Sequence, residues 1–304
     1  MAAEPLRPPG ELVADPLDGD GAAGTDHIDP ATFERAQRVW RKRTDGIGVF
    51  LAGQANVVYQ LAWPEVGHGV VESKVESGQV GKHPFKRFRT TVGYLGIAAL
   101  GSDELRAAYR EAVDGQHRQV RSGPDSPVKY NAFNRDLQLW VASCIFYGLH
   151  DLSTRMHGPM TSEEEELLLI VGSRMGTTLQ VPHEMWHHNM AEFWAYWDEG
   201  MKRCHIDQPV REYFLWLLHV QMLPFPLNRM ADRPMYWVNV GFLTPDLREQ
   251  LGLEWTDRDQ RRHDALMRLL GRAMRWMPTI VRQFPVNAMK LSLDTRRRLG
   301  LRMV

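Results

Sequence analysis

Apolar residues in this chain recur every three or four positions, and stretches in which they alternate with polar ones are almost absent. That regularity excludes a sheet as the framework, because a half-buried strand needs a period of two and a helix one near 3.6. Glycine and proline fall between the periodic stretches, and no internal repeat is visible. The expected fold class is all-α: a single globular multi-helix domain over residues 29–304. Residues 1–28 are rich in Pro, Gly, Ala and Asp and read as a disordered or loosely packed arm.

The most informative stretch is Lys82–Ser122. Pro84 suits a helix start, because its missing N–H would be unpaired there in any case. Phe85, Phe88, Val92, Leu95 and Ala99 then form one apolar stripe. Gly101-Ser102 ends that helix, and Ser102 is placed to cap a second one carrying Leu105, Tyr109, Ala112, Val113, Gln116 and Val120 inward. Arg87 and Thr91, four apart, share a face beside the first stripe. His117 lies at the edge of the second, where one ring nitrogen can face an apolar cavity as a metal ligand does. The same spacing also suits a core-edge histidine with a satisfied hydrogen bond.

Lys+Arg and Asp+Glu both total 37, so no global field recruits nucleic acid or an anionic membrane. Ten Trp and 15 Met suit a broad apolar interior or a pocket for a bulky apolar ligand. Cys144 and Cys204 sit in helix-like apolar runs, the habit of reduced thiols in a cytosolic protein. Without CxxCH, covalently attached haem is not expected. The N-terminal residues have no apolar core segment for a secretory signal, and runs 137–149 and 214–227 are too short to span a bilayer. A soluble, cytoplasmic protein with no transmembrane segment is expected.

Along the chain, Asp29-Pro30 opens a charged helix, and Gly46–Trp63 reads as another that Trp63-Pro64 stops. The glycine-rich stretch 67–84, holding His68, Glu72 and His83, reads as an irregular loop. Asn134 caps the clearest helix, and Thr161 with Glu164 forms a capping box before an acidic run, 163–166, that suits a solvated helix start. Residues 192–204, 209–220 and 256–277 read as further amphipathic helices, and the closing DTRRRLGLRMV as a solvated basic tail.

His183-Glu184-Met185-Trp186-His187 matches HExxH, which on a helix puts two imidazoles and a glutamate base around zinc. Pro182 immediately before it confines the motif to a first helical turn at best, so a zinc hydrolase is the third-ranked reading. No dinucleotide-binding, P-loop or α/β-hydrolase motif occurs.

Taken in order, HGVVES (68–73), HPFKRFRTT (83–91), HRQVRS (117–122), YNAFNRDLQLWV (130–141), VPHEMWHHNMAEFWAYW (181–197), GFLTPDLREQLGLEW (241–255) and RRRLG (296–300) resemble the MpaB/latex-clearing-protein group of oxygenases. The resemblance implies an all-α fold with a haem-type cavity, b-type haem with a histidine axial ligand, and dioxygen chemistry on apolar, often isoprenoid, substrates. On this chain the axial ligand falls on His117 and the R-x-x-x-T pair on Arg87 and Thr91. The active-site glutamate of the latex-clearing branch falls on Glu72. Where that branch has a lysine before the threonine, this chain has Thr90, so rubber cleavage in particular is not implied. Lys86, Arg87 and Arg89 supply cations for haem propionates; Arg87 alternatively hydrogen-bonds dioxygen, with Thr91 orienting a water. Two function classes follow: a haem b-dependent oxygenase, or a haem-free helical module that binds an apolar ligand.

Overall fold

The structure is a computed structural model that describes residues 28–73, 75 and 80–304. The arm expected over 1–28 lies, except for Ile28, outside the described residues. Among those residues every extended element is helical, and the domain is all-α as its periodicity requires.

The first helix, α1 (Pro30–Arg43), starts where the sequence signals it, with the Asp29 carboxylate accepting the Thr32 N–H at 2.9 Å. The stretch expected as one helix over Gly46–Trp63 is two, α2 (Gly48–Leu51) and α3 (Gly53–Leu61), broken at Ala52. A remote partner stabilises the restart. The buried Asn239 amide oxygen accepts the Ala55 N–H at 2.9 Å, one of the donors that a new helix start leaves unpaired. Pro64 then begins a further helix, α4 (Pro64–Val71), so His68 sits in ordered helix and not in the expected loop.

The central pair is as expected: α5 (Pro84–Leu100) and α6 (Asp103–His117), with Ser102 Oγ accepting the Leu105 N–H. Next come α7 (Arg135–His157), capped by Asn134, and α8 (Ser162–Thr177), with its capping box formed. A single 3-10 turn, His183–Met185, precedes α9 (Met190–Lys202) and α10 (Gln208–Leu218). Then follows α11 (Leu227–Val240), which carries Pro234 inside it. Proline removes a helix hydrogen bond, which is why no sequence signal marked this element. The chain closes with α12 (Pro245–Leu251), α13 (Asp257–Arg275), α14 (Thr279–Arg282) and α15 (Val286–Arg298).

Two expectations about charge are corrected. The acidic run at the start of α8 is not merely solvated: Glu163 pairs with Arg35, Glu164 with Lys42 and Arg43, and Glu165 with His150, so it fastens α1 and α7 to α8. The basic tail is not solvated as a whole either. It is the end of α15, which packs along α5 and buries Leu293, while Met303 beyond it is buried too. Helix packing this close needs small residues, and α5 supplies Gly93 and Gly96.

The core is aromatic. Trp140 of α7 stacks on Trp63 at 4.6 Å between ring centroids and on Trp197 of α9 at 5.3 Å. Gly200 lets α9 approach, since a Cβ there would stand 2.3 Å from the Trp140 ring. At Gly93 a Cβ would stand 2.3 Å from Leu293 Cδ1. Gly93→Val is therefore expected to push α15 off α5 and cost about 1–3 kcal/mol, the usual cost of overpacking; chemical denaturation measures it, with Gly115→Ala, where a Cβ meets nothing within 4 Å, as the control.

Candidate functional site

A cavity of about 1300 Å³ opens among these helices, with mostly apolar walls. α5 contributes Arg87, Phe88 and Thr91, the end of α6 gives Val113 and His117, and α7 gives Val141 and Ile145. Tyr213 and Trp216 of α10 and Val286 and Lys290 of α15 complete it. The structure thus brings together Lys86, Arg87, Thr91 and His117, the residues that the central pair suggested. Phe85, placed in the buried stripe from its spacing, lines the same cavity as an exposed residue.

His117 occupies the last turn of α6, and that turn is anchored from outside. Arg106 donates to the hydroxyls of Thr177 and Thr178, and Arg110 to their carbonyls, placing guanidinium groups on the negative end of α8. One turn before His117, Asp114 accepts a hydrogen bond from the Gln180 side chain. The His117 ring meets the edge of Phe133, and its Nδ1 is buried with no hydrogen-bond partner. Burial, and then the positive charge of Arg87, push its pKa down to about 4. The imidazole is therefore neutral near pH 7 and keeps the lone pair that a metal ligand needs. A buried imidazole nitrogen without a partner is an unusual expense for a fold.

Thr90, which stands in the place of the latex-clearing lysine, turns its hydroxyl onto the carbonyls of Lys86 and Arg87 at 3.1 Å, and its own carbonyl accepts the Tyr109 hydroxyl at 3.0 Å. It cannot reach across the cavity as a lysine would.

Glu72 does not join the group. It is absent from the cavity lining, and its carboxylate is held by His68 Nδ1 at 2.7 Å, Ser126 Oγ at 3.1 Å and Tyr130 Oη at 3.0 Å. His68 is buried, and its other ring nitrogen meets Asp207 at 2.7 Å. Two carboxylates on one imidazole require both nitrogens to donate, so the ring is an imidazolium. Burial by itself lowers the His68 pKa, but the hydrogen bonds to Asp207 and Glu72 outweigh it and leave it raised. Burial raises that of Glu72, and its three donors more than reverse this. Burial and Glu72 push the Tyr130 phenol up to about 12, so it stays a donor. Asp207 also caps α10 through the Val210 N–H, so this network ties α4, the start of α10 and Tyr130, itself a wall residue, into one unit. The i,i+4 spacing of His68 and Glu72 was visible in the sequence. Asp207, so far along the chain, gave no signal, nor did Tyr213, Trp216 and Lys290 as wall residues.

The HExxH motif does not form a zinc site. His183 and Glu184 are exposed on the 3-10 turn, while His187 is buried against Phe193 and Tyr196 with its Nε2 3.0 Å from Ser143 Oγ. Without an α-helix the two imidazoles share no face. Among the described residues no group of three or more His, Cys, Asp or Glu is placed to hold a metal ion.

With cavity, cations and neutral histidine in place, comparison with known proteins becomes decisive. Residues 40–276 match the family described as ER-bound oxygenase mpaB/B'/Rubber oxygenase, catalytic domain. The chain belongs to this family. It is also 42% identical over 250 residues to an uncharacterized protein of Mycobacterium bovis and to one of Mycobacterium tuberculosis, with 82% of this chain and 98% of each relative covered. No solved structure matches. The mpaB/rubber oxygenase family is one of oxygenase catalytic domains, so at that coarse level the chain is an enzyme that takes a substrate and dioxygen. No helix among the described residues is long and apolar enough to cross a membrane.

The His68 network predicts a pH dependence. His68 has its pKa raised, so its contribution is fully present below its ordinary value of 6.5 and is lost as pH rises through the raised one. Glu72 has its pKa lowered, so its contribution is present above 4.5 and fades only as pH falls through the lowered value. His68→Gln should cost about 2–4 kcal/mol near pH 6. The gap from wild type should narrow in alkaline buffer, as thermal melts at a series of pH values would register.

Proposed function

We propose that this chain is a haem b-dependent oxygenase that acts with dioxygen on an apolar, isoprenoid- or lipid-like substrate inside the cavity. One observation carries the reading: a neutral, half-buried His117, its Nδ1 enclosed and without a hydrogen-bond partner, on the wall of a large apolar cavity, with the Arg87 guanidinium nearby. The volume exceeds the ~300–1,000 Å³ typical of a single small-molecule site, which suits a prosthetic group together with a substrate. When bound, the haem supplies the one-electron chemistry that dioxygen needs to react with a closed-shell hydrocarbon.

The rest belongs to the chain's own side chains. His117 would hold the group from the α6 side, pre-aligned by the arginine clamps on α8. Lys86 and Arg87 place positive charge at one wall, where it balances propionates or any negative charge that develops on reduced dioxygen. Thr91, one turn beyond Arg87, offers a hydroxyl to orient a water or pass a proton. Phe88, Val141 and Ile145 hold the substrate and keep bulk water from it. Glu72 is a positioning residue: it fixes Tyr130 and α4 and has no free oxygen directed at the cavity.

An apolar cavity of this kind also suits a haem-free binding module, and absorption spectroscopy separates the two. The protein from iron-replete cells should show a Soret band, and its absence would sink the oxygenase reading. His117→Ala should lose most bound haem or shift the band, with circular dichroism unchanged. Arg87→Ala should retain haem at least in part while turnover falls roughly ten- to a hundredfold, the worth of one charge-assisted hydrogen bond in the transition state. His183→Ala should leave haem content unchanged.

A further inference from the structure

The large cavity carries positive charge at two separate places. Lys86 and Arg87 stand at the start of α5, and the charge of Arg87 is felt at His117. Lys290 lines the same cavity from α15. The two helices run antiparallel: Gly93 meets Leu293, while a Cβ at Gly96 would stand 3.0 Å from Lys290 Cβ and 3.1 Å from Val286. From Arg87 to Gly96 is about 14 Å along a helix that rises 1.5 Å per residue. The Cα–Cβ bond of a helical residue tilts toward the helix N-terminus, so Lys290 leaves α15 on the Val286 side, away from Arg87.

Lys290 is half-buried and makes no ion pair among the described residues. Two carboxylates line the cavity and both are taken: Asp45 meets His157 at 2.7 Å and Arg282 at 2.6 Å, and Glu65 meets Arg203 at 3.5 Å. Gln283, at the end of α14, lines the cavity too, and its carbonyl accepts the Asn287 N–H at 3.1 Å. Its side-chain Nε2 is enclosed and has no acceptor. Asn287 donates its own Nδ2 to the Ile280 carbonyl at 2.9 Å. The unmet donors along this stretch of wall are therefore the Gln283 amide and the Lys290 ammonium. An enclosed donor without an acceptor costs free energy, and an ammonium loses hydration once an apolar chain fills the space before it. One anionic acceptor answers both.

We propose that the substrate is an apolar chain ending in a carboxylate, which Lys290 and the Gln283 amide hold at the end of the cavity remote from Arg87. The carboxylate accepts from the ammonium and the amide, while the chain lies along Leu95, Val141 and Ile145. Held in this way, the chain is measured from its charged end, so distance from the carboxylate selects which carbons come to Arg87 and Thr91. An alcohol of the same length fits the same walls but leaves the ammonium without a counter-charge. A haem propionate is the other carboxylate that Lys290 could meet, and haem content tells the two apart. That the bound acid is a substrate rests on the oxygenase reading; the carboxylate site itself does not.

Calorimetric titration of the full chain with dodecanoate and with dodecanol, near pH 8 where lysine and carboxylate are both charged, tests this. Dodecanoate should bind roughly ten- to a hundredfold more tightly, the worth of one charge-assisted hydrogen bond. Lys290→Met should erase that preference while leaving dodecanol affinity and the Soret band as in wild type, and Lys290→Arg should restore it. Lys86→Met should keep it. Unchanged dodecanol binding also shows that the Lys290→Met cavity is intact. The proposal is overturned if the chain binds neither ligand or both alike, or if Lys290→Met still prefers the acid. It is equally overturned if Lys86→Met abolishes the preference, or if Lys290→Met loses haem, which would make a propionate the partner. A chain without a Soret band that prefers dodecanoate keeps the site and loses the oxygenase reading; a haem protein indifferent to the carboxylate does the reverse.

Discussion

The stacking of Trp140 between Trp63 and Trp197 is the contact on which the rest of the domain depends. A wide cavity leaves its lining without partner atoms on one side and forfeits their dispersion attraction. The loss has to be offset by dense packing elsewhere, and the offset is concentrated on one side of α7. There Trp140 and Phe146 are wholly buried, Tyr147 lies 3.9 Å from Trp197 between ring centroids, and Gly200 permits the approach. With that side immobile, the other side of the same helix can present Val141 and Ile145 to open space without collapsing into it.

Polar groups then fix what apolar packing leaves free. Ridges of leucine and valine define distance between helices more firmly than rotation or axial position, whereas a charged hydrogen bond defines both. Arg106 and Arg110 set α6 against α8, Asn239 sets the start of α3, and the His68 imidazolium sets α4 against α10. Each of these groups has its partners, whereas His117 Nδ1 is one of several buried side-chain atoms, His263 Nδ1 among them, that have none.

Much of this was legible in the sequence, and the illegible part has a common cause. Helix starts marked by Asp29, Ser102, Asn134 and Thr161 are local chemistry, and all four appear where the sequence placed them. His117, Arg87 and Thr91 lie on adjacent helices, so spacing alone brought them near one cavity. The break at Ala52 depends on Asn239, the tie on His68 depends on Asp207, and the seating of α15 depends on glycines in α5. No window along the chain contains both partners of such contacts. Glu72 is the converse case: its motif position suggested an active-site carboxylate, while its three-dimensional neighbours His68, Ser126 and Tyr130 hold the carboxylate outside the cavity lining.

The seating of α15 against Gly93 and Gly96 has a kinetic side as well. Helix α5 carries the site's cations, but the face bearing Gly93 and Gly96 is covered by residues some two hundred positions further along the chain, Gly93 meeting Leu293. Contacts so remote in sequence form late, because the entropy of closing the intervening chain is lost before they contribute. The aromatic stack around α7 draws on nearer segments and can consolidate earlier. A growing or refolding chain would therefore hold a packed core before it holds a finished wall, and the cavity would be completed in the last stage of folding.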